Sequence, residues 1–355
     1  MERADEIFPL AADWLKRNAK TDNWFLHINL WDPHTPYRSP EEWIRLFADH
    51  PLPSWYTEEV RQQHWRGCGP HSAQEVMDFD ILDDWLKRFP HQPQIIGSMV
   101  AAREMFDGYD AGVRFADEHI GRILNTLADQ GVLDETAVIL SSDHGENLGE
   151  LNIYCDHQTA DQITSRVPLI IRWSGLSGTG KARVDTALHY HVDFAATLVE
   201  LLGGQVPDGW DGRGFAAAFK EGRQEGRDFL VLSQSAWTCQ RSVRFGDHLC
   251  IRSYHDGYHA FPDRMLFNVK TDPNEQNDLA AKSPELVDMA MSLLDQWHVQ
   301  MMRTATCPQD PMATVLCEGG PFHLRGELPA YLARLQKTGR ALWADHLARI
   351  FHVPV

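Results

Sequence analysis

The chain has 355 residues, 43% of them hydrophobic and 23% charged, the balance of a globular protein with one large core or two unequal ones. Its formal net charge of -17 argues against a nucleic-acid partner, because phosphate binding needs a basic face, but it leaves an anionic small substrate open, since a local field can oppose the global one. No apolar run reaches the roughly 18 residues of a membrane span, and no signal peptide is visible at Met1.

In chain order, residues 8–20 predict a short amphipathic helix with Leu10, Ala11, Trp14 and Leu15 on one face. Residues 24–31, WFLHINLW, read as a strand that stops at DPHTPY, whose two prolines forbid further ladder pairing. His34 therefore projects from a loop at a strand's end, while His27 reads as a structural residue of the strand. Residues 38–97, rich in Trp, His, Pro and charge but weakly periodic, read as an excursion over a sheet's ligand edge. Residues 98–131 are the clearest helix: apolar side chains from Met105 to Leu127 recur at helical spacing, and Gly131 supplies the stop.

Residues 136–142 form a β-branched and apolar run, punctuated afterwards by Gly145 and Gly149, which reads as a buried strand of a parallel sheet entering a loop. Asp143 and His144 fall just past its carboxyl end, where open α/β sheets bind ligands because the loops diverge there. The pair offers a carboxylate oxygen and an imidazole nitrogen to one cation; the plain alternative is a loop cap beside a merely polar histidine. His157 lies in the loop or first helical turn leading to VPLIIRW, a second buried strand. Residues 193–203 read as a helix with Asp193 as N-cap and Gly203 as its stop, and WDGRGF follows as a turn-rich loop.

Composition shifts near Gly226. FLVLSQ, RSVRFG, HLCIRSY and RMLFNV alternate with polar turns and predict an antiparallel sheet, followed by the loop DPNEQNDL and a closing helix capped by Ser283. The tail from Thr304 begins irregular and turns helical over 328–351. The expected division is thus a catalytic α/β part at 1–225, an antiparallel subdomain with its helix at 226–303, and a tail at 304–355. Cysteines 68, 155, 239, 250, 307 and 317 show neither CxxC nor zinc spacing, and read as free thiols of a reducing, cytoplasmic compartment.

The pieces NLWDPHTPY, the Tyr109…Asp117…Ile120-Gly121 helix, SSDHGENLGE, RVPLIIRW, HVDFAATLVELLG, DGRGF and MLFNVKTDPNEQNDLA occur together in one order over most of residues 20–300. That ordered set resembles the sulfatase family of the alkaline phosphatase superfamily, from the middle of its catalytic domain through its C-terminal subdomain. The resemblance implies an α/β fold: an alkaline-phosphatase-like, mostly parallel sheet flanked by helices, with a smaller C-terminal antiparallel-sheet subdomain. It implies hydrolysis of sulfate esters, small or on a sulfated glycan. Asp143 and His144 match half of the divalent-cation site, usually calcium, and a hard cation with oxygen ligands suits a sulfate oxyanion. His34 matches the histidine that contacts the sulfate or the bridging oxygen. His157 lies beside the position of a second leaving-group cation, usually lysine; here that neighbourhood reads Asp156-His157.

The departures are as informative. The family opens with a strand ending in an Asp-Asp pair that completes the metal site, then carries Cys- or Ser-x-Pro-x-Arg, whose first residue becomes the formylglycine nucleophile. Neither is present ahead of NLWDPHTPY, where the family carries them; Cys68-Gly-Pro-His-Ser72 comes nearest to the nucleophile motif, but Ser72 stands where arginine is required. Half a metal shell without a nucleophile cannot run the covalent cycle. The expectation is therefore a truncated sulfatase, inactive alone, that self-associates or needs an N-terminal half, with its compartment left open because any leader would precede Met1. A phosphonate monoester hydrolase or phosphodiesterase of the same superfamily is the alternative enzyme. A two-metal phosphodiesterase needs Asp-x-x-x-His before the Asp-His pair, and Asp185…His189 comes after it. A non-catalytic remnant or binding domain is the alternative outside enzymes.

Overall fold

The computed structural model describes residues 2–78, 84–177 and 182–353, so 79–83 of the expected excursion lie outside the described residues. Its frame is the long helix Met99–Asp129. The Ser98 hydroxyl accepts from the Ala101 amide at 3.2 Å to start it, and Gly131, at φ +77°, ends it in a left-handed conformation that other residues adopt at a cost. Helix Ala4–Asn18 packs alongside, burying Leu15 against Leu127. It starts earlier than the periodicity suggests because the Asp32 carboxylate, far along the chain, accepts from the Ala4 amide at 2.7 Å. Helix initiation and the DPHTPY loop are thereby joined.

Residues 24–31 form no strand. Exposure still alternates, with Trp24 and Leu26 against the Leu15–Leu127 core and Phe25 85% exposed, but no described residue offers a ladder partner. Strand β1, Val138–Ser141, precedes β2, Asn147–Leu148, and β3, Tyr154–Asp156; β4 is Leu169–Arg172. The expectation of parallel pairing for β1 is corrected: β1 pairs antiparallel with β4, Ile139 opposite Ile171, while β2 and β3 form a separate small ribbon. The link between β1 and β4 holds the β2–β3 ribbon and, as its α-helix, only the one turn Gln162–Ser165, and it doubles back instead of crossing over. Nor is β4 buried as expected; Ile170 is 59% exposed, because no described element covers that face.

Helix His191–Leu201 begins two residues before the expected cap. Asp193 lies inside its first turn, accepting from the Tyr190 amide at 2.9 Å and pairing with Arg227. The C-terminal sheet follows the expectation: β5 (Phe229–Gln234), β6 (Cys239–Phe245), β7 (His248–His255) and β8 (Arg264–Asn268) form an antiparallel meander in sequence order. Helix Pro284–Thr304 closes one face through Val287, Ala290 and Leu294. The tail is not peripheral. Helices Leu328–Lys337 and Ala341–Ile350 bury Leu335 and Leu347 in a cluster with Cys68, Trp237 and Tyr258. The buried Glu75 carboxylate binds both Arg340 and Arg334, the latter at 2.9 Å. No helix among the described residues is long and apolar enough to cross a membrane.

Candidate active site

His34 is held by its own loop. Its amide donates to the Trp31 carbonyl at 2.9 Å, and its ring lies 4.4 Å from the Trp31 ring. The Thr35 carbonyl lies 2.9 Å from Nδ1 and also accepts from Trp31 Nε1 at 3.1 Å. Nδ1–H donating there leaves Nε2 as the atom that faces a ligand. The loop sits directly on the long helix because Gly112 and Gly108 leave room: a Cβ on Gly112 would lie 2.8 Å from Pro33, and one on Gly108 3.0 Å from the Tyr37 Cβ.

Asp143 and His144 leave the end of β1. Asp143 Oδ1 accepts from the His144 amide at 3.0 Å, and its side chain is 88% exposed. His144 Nδ1 lies 2.8 Å from the Gly145 carbonyl, so Nε2 carries the free lone pair, 3.8 Å from Asp143 Oδ2. Gly145 is required by close approach, since a Cβ would meet the Ile163 carbonyl at 2.3 Å. Partial burial raises the Asp143 carboxyl, but His144, the backbone amides and His34 outweigh it and hold it below its ordinary value. The pair offers a cation one ionised carboxylate, the oxygen ligand that a hard cation prefers, and one imidazole nitrogen facing it. Among the described residues no group of three or more His, Cys, Asp or Glu is placed to hold an ion.

His157 follows β3, and the C-terminal sheet clamps its loop. Gln234 donates to the His157 carbonyl at 2.8 Å, and Thr238 to the Gln158 carbonyl at 2.7 Å. The His157 ring lies 4.0 Å from that of His144, which lies 6.1 Å from that of His34. The four residues singled out in the sequence therefore come together. Burial pulls the His157 imidazole below its ordinary value, with His144 and His34 adding to the fall and Asp156 opposing it, so the neutral ring faces the site.

Behind this cluster lies a cavity of about 470 Å³ whose lining includes His34 and His157 but neither Asp143 nor His144. Three of its residues escaped sequence reasoning. Glu146, within the quoted SSDHGENLGE, is buried and accepts from the Tyr37 hydroxyl. Burial pushes its carboxyl up to about 8, the Tyr37 bond opposing and Asp156 reinforcing the shift. The partly buried His71 lies 3.3 Å from Asp156, and its imidazole is lowered by loss of solvent against the pull of that carboxylate. Cys155 stands in the same wall with its thiol raised by burial and by Glu146. The signal for Glu146 was present in the motif; nothing in the sequence paired it with Tyr37. Cys68 does not line this cavity: burial raises its thiol too, within the cluster formed by the tail helices.

A family model described as Sulfatase matches residues 2–204. The chain belongs to the sulfatase family. Its curated sulfatase relatives include the uncharacterized sulfatase YidJ of Escherichia coli, 28% identical over 78% of this chain and 51% of that protein. The chain spans about half the length of the first curated relatives it matches. Among solved structures, BT4656, determined in complex with its substrate D-glucosamine-2-N,6-O-disulfate, is 20% identical with a TM-score of 0.66, covering 87% of this sulfatase chain and 71% of that one. The phosphonate monoester hydrolase of Agrobacterium radiobacter is also 20% identical, with a TM-score of 0.63 over 86% of this chain and 62% of that one. The fold is the alkaline-phosphatase-like α/β fold of those sulfatases, with the C-terminal four-stranded antiparallel sheet.

Proposed function

We propose that these residues form the leaving-group side, and half of the cation shell, of a sulfate-ester hydrolase whose nucleophile comes from polypeptide outside these 355 residues. The observation that carries the reading is the meeting of His34, His144 and His157 at a strand-end edge, with His34 Nε2 directed away from its own loop. In this reading Asp143 and His144 would hold calcium, which would offset charge on the sulfate oxygens. As an imidazolium, His34 delivers the Nε2 proton to the departing oxygen and is left neutral, while Thr35 keeps Nδ1–H engaged and the ring aimed. His157, neutral through burial, supplies a hydrogen bond and not a charge. Glu146, protonated at neutral pH, spares the cavity wall an uncompensated anion.

The test is complementation. A segment carrying the Asp-Asp pair and Cys-x-Pro-x-Arg, fused ahead of Met1 or supplied separately with a formylglycine-generating enzyme, restores turnover of aryl sulfates. That turnover depends on both Asp143 and His144. His34→Ala lowers turnover most for esters with basic leaving groups, steepening the plot of rate against leaving-group pKa. Equal slopes for the two proteins remove His34 from the leaving oxygen. A phosphonate monoester would meet the same donor set, and a complemented chain that cleaves only phosphonate esters replaces the sulfate reading.

A further inference from the structure

The Asp143–His144 loop rests on a support that the chemistry above does not use. The Gly145 amide donates to the Thr164 carbonyl at 2.7 Å, so the loop lies against the one-turn helix Gln162–Ser165. That turn is held from the C-terminal part. Glu275, in the loop between β8 and helix Pro284–Thr304, accepts from the Gln162 amide through Oε1 at 2.8 Å. Two hydrogen bonds and one helical turn thus join Glu275 to the residue after His144.

Glu275 is 2% exposed, and its second oxygen, Oε2, is buried without a partner. Two more buried carboxyls face it. Asp161 accepts from the Thr164 amide and hydroxyl at 2.7 and 2.9 Å, from Asn147 Nδ2 at 3.2 Å and from the Thr159 hydroxyl. Glu150 accepts from the Leu148 amide at 2.8 Å and from Asn274 Nδ2 at 3.0 Å. Both oxygens of each have donors, as an anion requires, while Glu275 has one donor and one bare oxygen. The other charges around it are Asp272, in its own loop, and Arg244 of β6, whose Nε donates to the Gln162 side chain at 3.1 Å. Burial raises the Glu275 carboxyl well above its ordinary value, Asp161, Glu150 and Asp272 adding to the rise and the Gln162 amide opposing it. Burial raises Asp161 and Glu150 as well, with their donors opposing.

We propose that Glu275 is a proton-controlled latch: with its proton it seats the turn Gln162–Ser165, and when the proton leaves, the turn and the Asp143–His144 loop loosen together. An ionised Glu275 stands beside Asp161 and Glu150 with Oε2 bare, and withdrawing from Gln162 toward water relieves both penalties. Glu275 is thus a positioning residue for the Asp143–His144 pair, acting through Gln162 and Gly145. The inference needs only the place of that loop and not the sulfate-ester reading, so either can fail alone.

Amide-resolved hydrogen exchange of the full chain tests it, with rates corrected for the intrinsic effect of pH. Glu275→Gln keeps an acceptor for the Gln162 amide and cannot ionise. A carboxyl raised in the latched state stabilises that state fully below its ordinary value and progressively less as pH rises, because the open state releases the proton first. Between pH 5.5 and 6.5 the Gln162 and Gly145 amides of the wild type are therefore expected to lose about tenfold in protection relative to Glu275→Gln, while amides of helix Met99–Asp129 keep a constant ratio. A constant ratio at Gln162 and Gly145, or an equal fall along the long helix, overturns the latch. If a thermal melt shows that Glu275→Gln does not fold, the wild type decides alone: protection at those two amides must fall with pH more steeply than in the long helix, and parallel profiles overturn the proposal.

Discussion

Replacing Glu146 by Gln gives the sharpest test of how the cavity wall is electrically built. Glu146 is buried beneath the Tyr37 hydroxyl, with Cys155 and Asp156 in the same wall. Its carboxyl sits at about 8 against an ordinary 4.5. A carboxyl raised on folding stabilises the protein fully below the unfolded value, and that contribution drains away as pH rises toward the folded one, because the unfolded chain releases the proton first. At about 1.4 kcal/mol per pH unit, moving from pH 5.5 to 7.5 removes roughly 3 kcal/mol of stability through this one group. Glutamine keeps an acceptor for Tyr37 and cannot ionise. Urea unfolding followed by tryptophan fluorescence should therefore find Glu146→Gln gaining roughly 3 kcal/mol on the wild type between those two pH values. Taking the difference between the proteins cancels the other titrating groups. A constant difference across the range means that Glu146 is not held protonated, and the wall must then hold a buried charge.

Three further outcomes are expected. Gly112→Ala must push Pro33 away; it should lose roughly 1–3 kcal/mol despite a helix-propensity gain of about 1, and should shift the His34 ring protons shielded by Trp31, whereas a net stabilisation would refute the close packing. Arg340→Met leaves the buried Glu75 with Arg334 and Ser72 and should cost about 3–5 kcal/mol in a denaturant melt, a near-neutral result meaning that the pair contributes little. Phe25, 85% exposed, and Ile170, 59% exposed, should drive self-association; sedimentation of Phe25→Ser/Ile170→Ser should move toward monomer, and a monomeric wild type would count against this.

What the sequence disclosed was local. Ser98 and Gly131 bracket a long apolar periodicity, and the helix follows them. The four strands after Gly226 are joined by short turns, so their alternation suffices to order the meander. The site residues were legible as loop positions next to strand-like runs. Partnerships across long separations were not. Residues 24–31 have the composition of a strand, but a ladder is a property of two segments, and composition names only one. The direction of β1 against β4 depends on how the link between them turns. Asp32 capping a helix at Ala4, Tyr37 covering Glu146, and the clamp of Gln234 and Thr238 on the His157 loop each join positions that no periodicity connects. Gly108 and Gly112 lower helix propensity, and the loop lying on them supplies the reason for their place.

The grip of the tail on the 67–75 turn has a temporal side. Tyr331 meets Gly69 across 262 residues, and Arg340 meets Glu75 across 265. Closing so large a loop comes late in any folding sequence. On a ribosome adding about 5–20 residues per second, the turn waits on the order of tens of seconds for its clasp to emerge. During that interval the two helices that will cover Cys68 do not yet exist, and that side of the turn stands open. Nascent chains would meet chaperones there, at the turn that is finished last.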